Sequence, residues 1–298
     1  MSVPAAFVGV ILIWATTPLA IKWSGEGVGF LFGVTARFVL GLGAVLALLA
    51  LLRQPLPRHR TARRVYLAGG VSLAFSMLLT YWAAQRIPSG WVSVVFGLTP
   101  LVTGLMAARW LGEDSLTPTK LAGMLLGIIG LGLIFAEGKS AGEGAPAGVA
   151  ALFGAVASHS AGAVAVKRLG AHLPALATTA GGLLVSTPLL VVTCGASGVT
   201  WPADVPVRAG AAIAYLAVVG SVLGFVLYYH VLRHVEASRV ALITLVTPVL
   251  ALLLGHFVAG EPLPVRVWLG TSAILAGLGL YQVRRRRRLA TVPVPVGP

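Results

Sequence analysis

Apolar residues run along this chain in blocks of roughly 20, the length that crosses hydrocarbon as a helix. Polar residues gather in the short gaps between the blocks. Ten blocks follow one another: Pro4–Ile21, Phe30–Leu52, Val65–Gln85, Ser89–Trp110, Pro118–Ala136, Ala147–Val166, Pro174–Cys194, Ala209–Leu232, Ala237–Ala259 and Val265–Val283. The gaps hold turn-forming sequence, such as SGEG at 24–27, RQPLPRHR at 53–60, EGKSAGEGAP at 137–146 and EPLP at 261–264. None is long enough for a soluble domain. The first block lacks a basic leader and a small-x-small cleavage site, so it reads as a retained helix and not a signal peptide. The pattern predicts an all-α integral membrane protein with ten transmembrane helices.

Composition agrees with that pattern. Of 298 residues, 57% are hydrophobic and only 10% charged, whereas a soluble domain is about a quarter charged. Lys and Arg number 22 against 8 Asp and Glu, a formal charge of +14, which on a polar surface would suggest nucleic acid. The placement of the charges removes that reading. With the N-terminus in the cytoplasm, 16 basic residues fall on the inner side and 5 on the outer, and Arg37 lies inside a span. Residues 53–64 and 284–288 supply ten of them, beside helix ends where anionic lipid head groups attract them. The expected partners are therefore membrane lipids and a small-molecule substrate, not nucleic acid. Both termini are expected in the cytoplasm, with the chain in the cell (inner or plasma) membrane. A single cysteine, Cys194, excludes an internal disulfide and a multi-thiolate metal site.

The chain also resembles itself. SGWVSVVFGLTPLVTGLMAARWLGE at 89–113 aligns with ASRVALITLVTPVLALLLGHFVAGE at 237–261. At an offset of 148, Tyr81 matches Tyr229, Thr99-Pro100 matches Thr247-Pro248, and Gly112-Glu113 matches Gly260-Glu261. One residue is then lost, and Gly123, Gly130 and Gly132 match Gly270, Gly277 and Gly279. ATTPLAIK at 15–22 aligns more weakly with SAGAVAVK at 160–167, which sets Trp14 opposite His159. Each copy holds five spans, an odd number, so the second must enter the membrane inverted. Two inverted-topology five-helix repeats are expected, at 1–140 and 146–283, followed by a basic, Pro-rich cytoplasmic tail at 284–298. Inverted repeats are a transporter architecture with substrate bound near mid-depth between the halves.

WATTPLAIK, the following RFVL in the second span, and the PSG/EAS–TP–GE–G pattern in both halves resemble the EamA-like family of the drug/metabolite transporter superfamily, over essentially the whole chain. The resemblance implies a ten-helix secondary carrier, of a family made up mostly of inner-membrane exporters of amino acids and other small metabolites. It implies a central cavity lined mainly by helices 1, 3, 4, 6, 8 and 9. Many members carry an aromatic residue where this sequence has His159. A multidrug or other-solute carrier is the alternative within the same class. A membrane enzyme and a non-transporting scaffold are the readings outside it.

Candidate substrate-binding residues are Trp14, Tyr81, Gln85, Thr99, His159, Tyr229, Thr244 and Thr247. Trp14 and His159 are counterparts near mid-depth, and a histidine inside a span is costly unless it faces the bundle or water. Tyr81 and Tyr229 would form outer and inner gates, with Gln85 extending the first. Trp82 and Tyr228 fit interfacial aromatic belts equally well. Pro100 and Pro248, halfway through helices 4 and 9, would break hydrogen bonds to the carbonyls of Phe96 and Thr244 and act as hinges. Arg37 has two readings: snorkelling to the interface, or pairing with a substrate carboxylate. Lys22 and Lys167 would anchor helix ends, and Glu113 and Glu261 would stabilise the N-terminus of the helix that follows each.

Catalytic patterns are missing from the sequence. His230 and His234 have no intervening Glu for a zincin, Gly138-Lys139-Ser140 lacks the earlier glycine of a phosphate loop, and there is no GxSxG. All eight acidic residues lie outside the ten blocks. The expectation is a non-enzyme without cofactor or metal, working as a monomer or weak homodimer.

Overall fold

The computed structural model describes residues 2–112, 118–135, 144–170, 172–199, 201–235, 240 and 243–282. They form helices and connecting turns, with no strand among them. In chain order these are α1 (Val3–Ser24), α2 (Phe30–Leu51), α3 (Arg60–Ala84), α4 (Ser89–Phe96), α5 (Thr99–Leu111), α6 (Pro118–Phe135), α7 (Ala145–Gly170), α8 (Ala175–Ala196), α9 (Val207–Tyr215), α10 (Gly224–His234), α11 (Ile243–Ala259) and α12 (Val265–Gln282). Between α9 and α10, residues Leu216–Leu223 are wound as π-helix, so this stretch crosses as one continuous rod.

Among the described residues, seven helical stretches are long and apolar enough to cross a membrane: α1, α2, α3, α4 with α5, α7, α8, and Val207–His234. Shorter apolar helices are found at Leu121–Gly130, Thr247–Ala259 and Val265–Gly277. Large apolar side chains such as Leu12, Leu40, Phe75, Ile128, Val192 and Phe257 lie exposed on the outside of the bundle. In water such a surface would associate, whereas in lipid it is the solvated face.

Prolines and glycines set the helix ends. Pro4 lies in the first turn of α1 and Pro100 in that of α5, where a missing N–H costs nothing. Gly112 ends α5 with φ +69, and Gly260 follows α11 with φ +64, left-handed values that a side chain disfavours.

The helices of the first half pack chiefly on those of the second. α1 packs on α11, and α7 packs on α5 and α4. α3 packs on α7, and α1 packs on α9 and α10. α3 also packs on α8, and α2 on the π-wound stretch; α2–α8, α4–α11 and α6–α12 pack as well. Two details show how closely these surfaces meet. A Cβ at Gly130 would lie 2.5 Å from the Gly270 carbonyl oxygen, and a Cβ at Gly277 would lie 2.5 Å from that of Gly123. Between α2 and α8, the Thr35 hydroxyl donates to the Leu190 carbonyl at 3.4 Å, and the Thr187 hydroxyl donates to that of Phe38 at 3.3 Å. Small residues and hydroxyl bonds of this kind hold helices together where no hydrophobic effect drives them.

The helix ends near residue 24 are tied across the bundle. Lys22 Nζ lies 2.8 Å from Glu261 Oε1, which also accepts the Ser89 N–H at 2.9 Å. Glu261 Oε2 accepts the Ser89 hydroxyl at 2.9 Å and the Gly90 N–H at 3.4 Å. Glu261 therefore caps α4, not the helix that follows it, which corrects the expectation from sequence. The left-handed Gly260 turns the chain back so that the carboxylate reaches across to the α4 N-terminus. Burial pushes this carboxyl up, but the hydrogen bonds from Lys22 and Ser89 and the Lys22 charge outweigh it and hold the group below the usual carboxylate range. Lys167 Nζ donates to the Val235 carbonyl at the end of α10. Glu113, the 137–143 loop, Arg239 and the 284–298 tail lie outside the described residues.

Candidate functional site

On α1, residues 14, 17, 18 and 21 share one helical face, and residues 92, 93 and 96 of α4 with Thr99 at the start of α5 form a second stripe. These two stripes face each other across a cavity of about 90 Å³, closed by Arg37 of α2, Met77 and Thr80 of α3, His159 of α7, Phe225 of α10 and Thr247 of α11. A water needs roughly 10–15 Å³ by a comparable measure, so the space suits several waters or one compact organic molecule.

One end of the cavity is aromatic. Trp14 lies 6.0 Å from His159 and 5.1 Å from Tyr228, ring centre to ring centre. His159 is 5.8 Å from Tyr228 and 6.2 Å from Phe96, and Tyr228 is 5.4 Å from Tyr229. Beyond this cluster a second cavity of about 20 Å³ shares His159 and Phe225 with the first. A third, of about 10 Å³, shares Tyr229 with the second and reaches Lys167 and Arg233. At the other end α1 runs about 12 Å from Trp14 to Lys22, whose ion pair with Glu261 ties α1, α4 and α11 just past the cavity wall.

Arg37 is only 2% exposed. Its Nε donates to the Ser221 hydroxyl at 2.9 Å, and its Nη1 lies 3.4 Å from the Tyr81 hydroxyl and 4.0 Å from Met77 Sδ. Ser221 and Gly220 sit in the π-wound stretch, a type of winding often found at functional sites. A Cβ at Gly220 would come within 3.3 Å of Arg37 Nη2, so the missing side chain leaves that nitrogen its room. No carboxylate pairs with Arg37 among the described residues. The burial and these partners rule out the snorkelling reading.

Trp14, Arg37, Thr99, His159 and Thr247 meet at the main cavity, and Tyr229 lines the two smaller ones. Tyr81 is fully buried behind the wall, where it bonds Arg37 and lines none of the three. Gln85 is exposed at the end of α3, over Gly25 and away from the cavity. The side chain of Thr244 lies outside the described residues.

The two prolines differ. Pro248 lies within the unbroken α11. Pro100 begins α5 after a break at Gly97-Leu98, and the Thr99 hydroxyl occupies the Phe96 carbonyl at 2.5 Å. Tyr228 is buried against Trp14 and is not a belt residue. Sequence reasoning missed Phe96, Phe225 and Pro18 among the lining residues, and of helix 2, which the family resemblance leaves out of the wall, it named only Arg37. The i, i+3, i+4, i+7 stripe beginning at Trp14 was the signal available for Pro18. Phe96 and Phe225 had none beyond being apolar.

A model of the EamA-like transporter family matches residues 2–136 and 146–282. The chain is 29% identical to the "Probable terminal-alkyne amino-acid exporter" of Streptantibioticus cattleyicolor, over 97% of this chain and 96% of that protein. It is 28% identical to the "Uncharacterized inner membrane transporter YedA" of Escherichia coli K12, over 93% and 90%. A solved structure described only as "Crystal structure of protein" shares the fold, with a TM-score of 0.70 at 23% identity over 96% of this chain and 99% of that one.

Proposed function

The chain belongs to the EamA-like transporter family, and from that premise we propose that it is a secondary carrier that exports a small metabolite, such as an amino acid or a derivative, by alternating access to the cavity between its halves. Ten spans in two inverted repeats are part of the reading. α6, α11 and α12 are 18, 17 and 18 residues long, within the range of roughly 17–25 that crosses hydrocarbon. Exchange of the halves maps the packing onto itself: α1–α11 onto α7–α4/α5, and Gly130–Gly270 onto Gly277–Gly123.

The observation that carries the proposal is that counterparts meet at the cavity. Residues related by a two-fold touch only near its axis, and Trp14 contacts His159 while Thr99 and Thr247 line the same space. The axis therefore runs through the cavity, where rocking of the halves changes access without moving the site. The charge bias of 16 to 5 supports cytoplasmic termini and the inner or plasma membrane, and the internal pseudo-symmetry supports action as a monomer or weak homodimer. Counterflow in proteoliposomes with a panel of amino acids and derivatives tests the reading. Saturable uptake of one class is expected, and folded protein that moves nothing across a broad panel would overturn it.

A further inference from the structure

We infer that the cavity selects amphipathic monocarboxylates whose nitrogen, where one is present, is neutral, such as N-acylated amino acids, over zwitterionic amino acids. The inference rests on the carrier reading above for the role of the cavity and deepens it by naming the substrate class.

Charge is the first ground. Arg37 places its guanidinium on the cavity wall and has no carboxylate partner among the described residues. No acidic residue lies within any of the ten apolar blocks. An isolated charge is expensive in such a medium, and a monoanion would neutralise it. A zwitterion would leave the loaded cavity with its net positive charge.

Geometry is the second. A guanidinium has five N–H donors. Nε is spent on Ser221 and Nη1 faces Tyr81 and Met77, while Nη2, with Gly220 beside it, makes no hydrogen bond among the described residues. That leaves a charged donor for a carboxylate oxygen, with Ser221 and Tyr81 fixing the plane of the fork.

The hydroxyls are the third. Thr17, Thr80, Thr99 and Thr247 all line the cavity, and each donates its proton to a backbone carbonyl three or four residues back, those of Ile13, Ser76, Phe96 and Ile243. Their oxygens remain as acceptors only. Acceptors of this kind suit the N–H of an amide, whereas neutral hydroxyls compensate a buried ammonium poorly. Trp14 and Phe96 supply an apolar wall for the rest of the molecule.

The test uses purified full-length protein near neutral pH with matched probes: leucine, N-acetylleucine and leucine amide, and the corresponding phenylalanine set. Affinity is read from thermal stabilisation and flux from counterflow. N-acetylated forms are expected to bind at least about tenfold more tightly than the free amino acids, in keeping with a charge-assisted pair. R37Q is expected to remove most of that preference, leaving only the part due to the hydroxyls, and R37K to keep more of it, because the charge survives without the fork. If R37Q does not purify, R37K and the wild-type series decide. Equal or tighter binding of the free amino acids overturns the inference, as does a preference undiminished in R37Q or a failure of all six probes to stabilise. Preferential binding of the N-acetyl forms without flux overturns the carrier reading and leaves the inference standing. Faster flux of the free amino acids does the reverse.

Discussion

Lys22 and Glu261, 239 positions apart in the chain, meet at 2.8 Å where α1, α4 and the end of α11 converge. Glu261 is also the cap of α4, so one carboxylate holds three helices at one end of the cavity. Replacing it with an amide removes the counter-ion of Lys22 and one of the two acceptor oxygens that serve Ser89 and Gly90, a loss of about 1–3 kcal/mol. E261Q is expected to lower the melting temperature in detergent, and E261D to lower it too, because the shorter side chain cannot span both partners. An unchanged melting temperature for E261Q would remove the tie from the account.

The same carboxylate gives the protein an acid limit. Its folded value is depressed, so its contribution is complete above the unfolded value of about 4.3 and fades as pH falls through the lower folded value. Melting temperature followed from neutral pH to about pH 3 should fall more steeply for wild type than for E261Q at the acid end. Parallel curves would contradict this.

Gly130 and Gly277 let α6 and α12 approach to backbone contact. G277L should overpack that crossing and cost about 1–3 kcal/mol. G132A adds its methyl group where nothing lies within 4 Å, and should melt with the wild type. A G277L protein as stable as G132A would mean that the two helices do not meet there.

The aromatic cluster should matter to flux more than to folding. W14A and Y228A enlarge the junction between the first and second cavities, and are expected to reduce counterflow by about tenfold or more, as a misplacement of roughly 1 Å can cost a hundredfold in a preorganised site. Q85A, on an exposed residue away from the cavity, should transport like wild type. Loss of flux in Q85A with full flux in W14A would reverse the assignment of the site.

What was legible in the sequence was whatever depends on length, period or self-comparison. Apolar blocks of helical length located the helices, and the aligned Gly112 and Gly260 both adopt the left-handed turn. The alignment of Trp14 with His159 paired two residues that the fold brings into ring contact. Facing was not legible, because a span that is apolar all round does not tell its inner side from its lipid side. Sequence therefore leaves Tyr228 between the cluster and the belt, and puts Gln85 beside Tyr81 although the structure has it exposed. Partners distant in the chain were equally hidden: nothing near Arg37 in sequence points to Ser221, and nothing near Glu261 points to Ser89. The break at Gly97-Leu98 makes the two Thr-Pro pairs unlike in the structure although they are alike in sequence.

Two-sided accessibility of the cavity tests the central claim most directly. Ser93 is buried in the cavity wall, and Cys194, the single native cysteine, can be replaced by Ser. A Ser93→Cys variant in that background, challenged with a membrane-impermeant thiol reagent in right-side-out and inside-out vesicles, should react from both sides, and a bound carboxylate should slow the reaction on both. Reaction from one side only, whatever ligand is present, would contradict alternating access to this cavity.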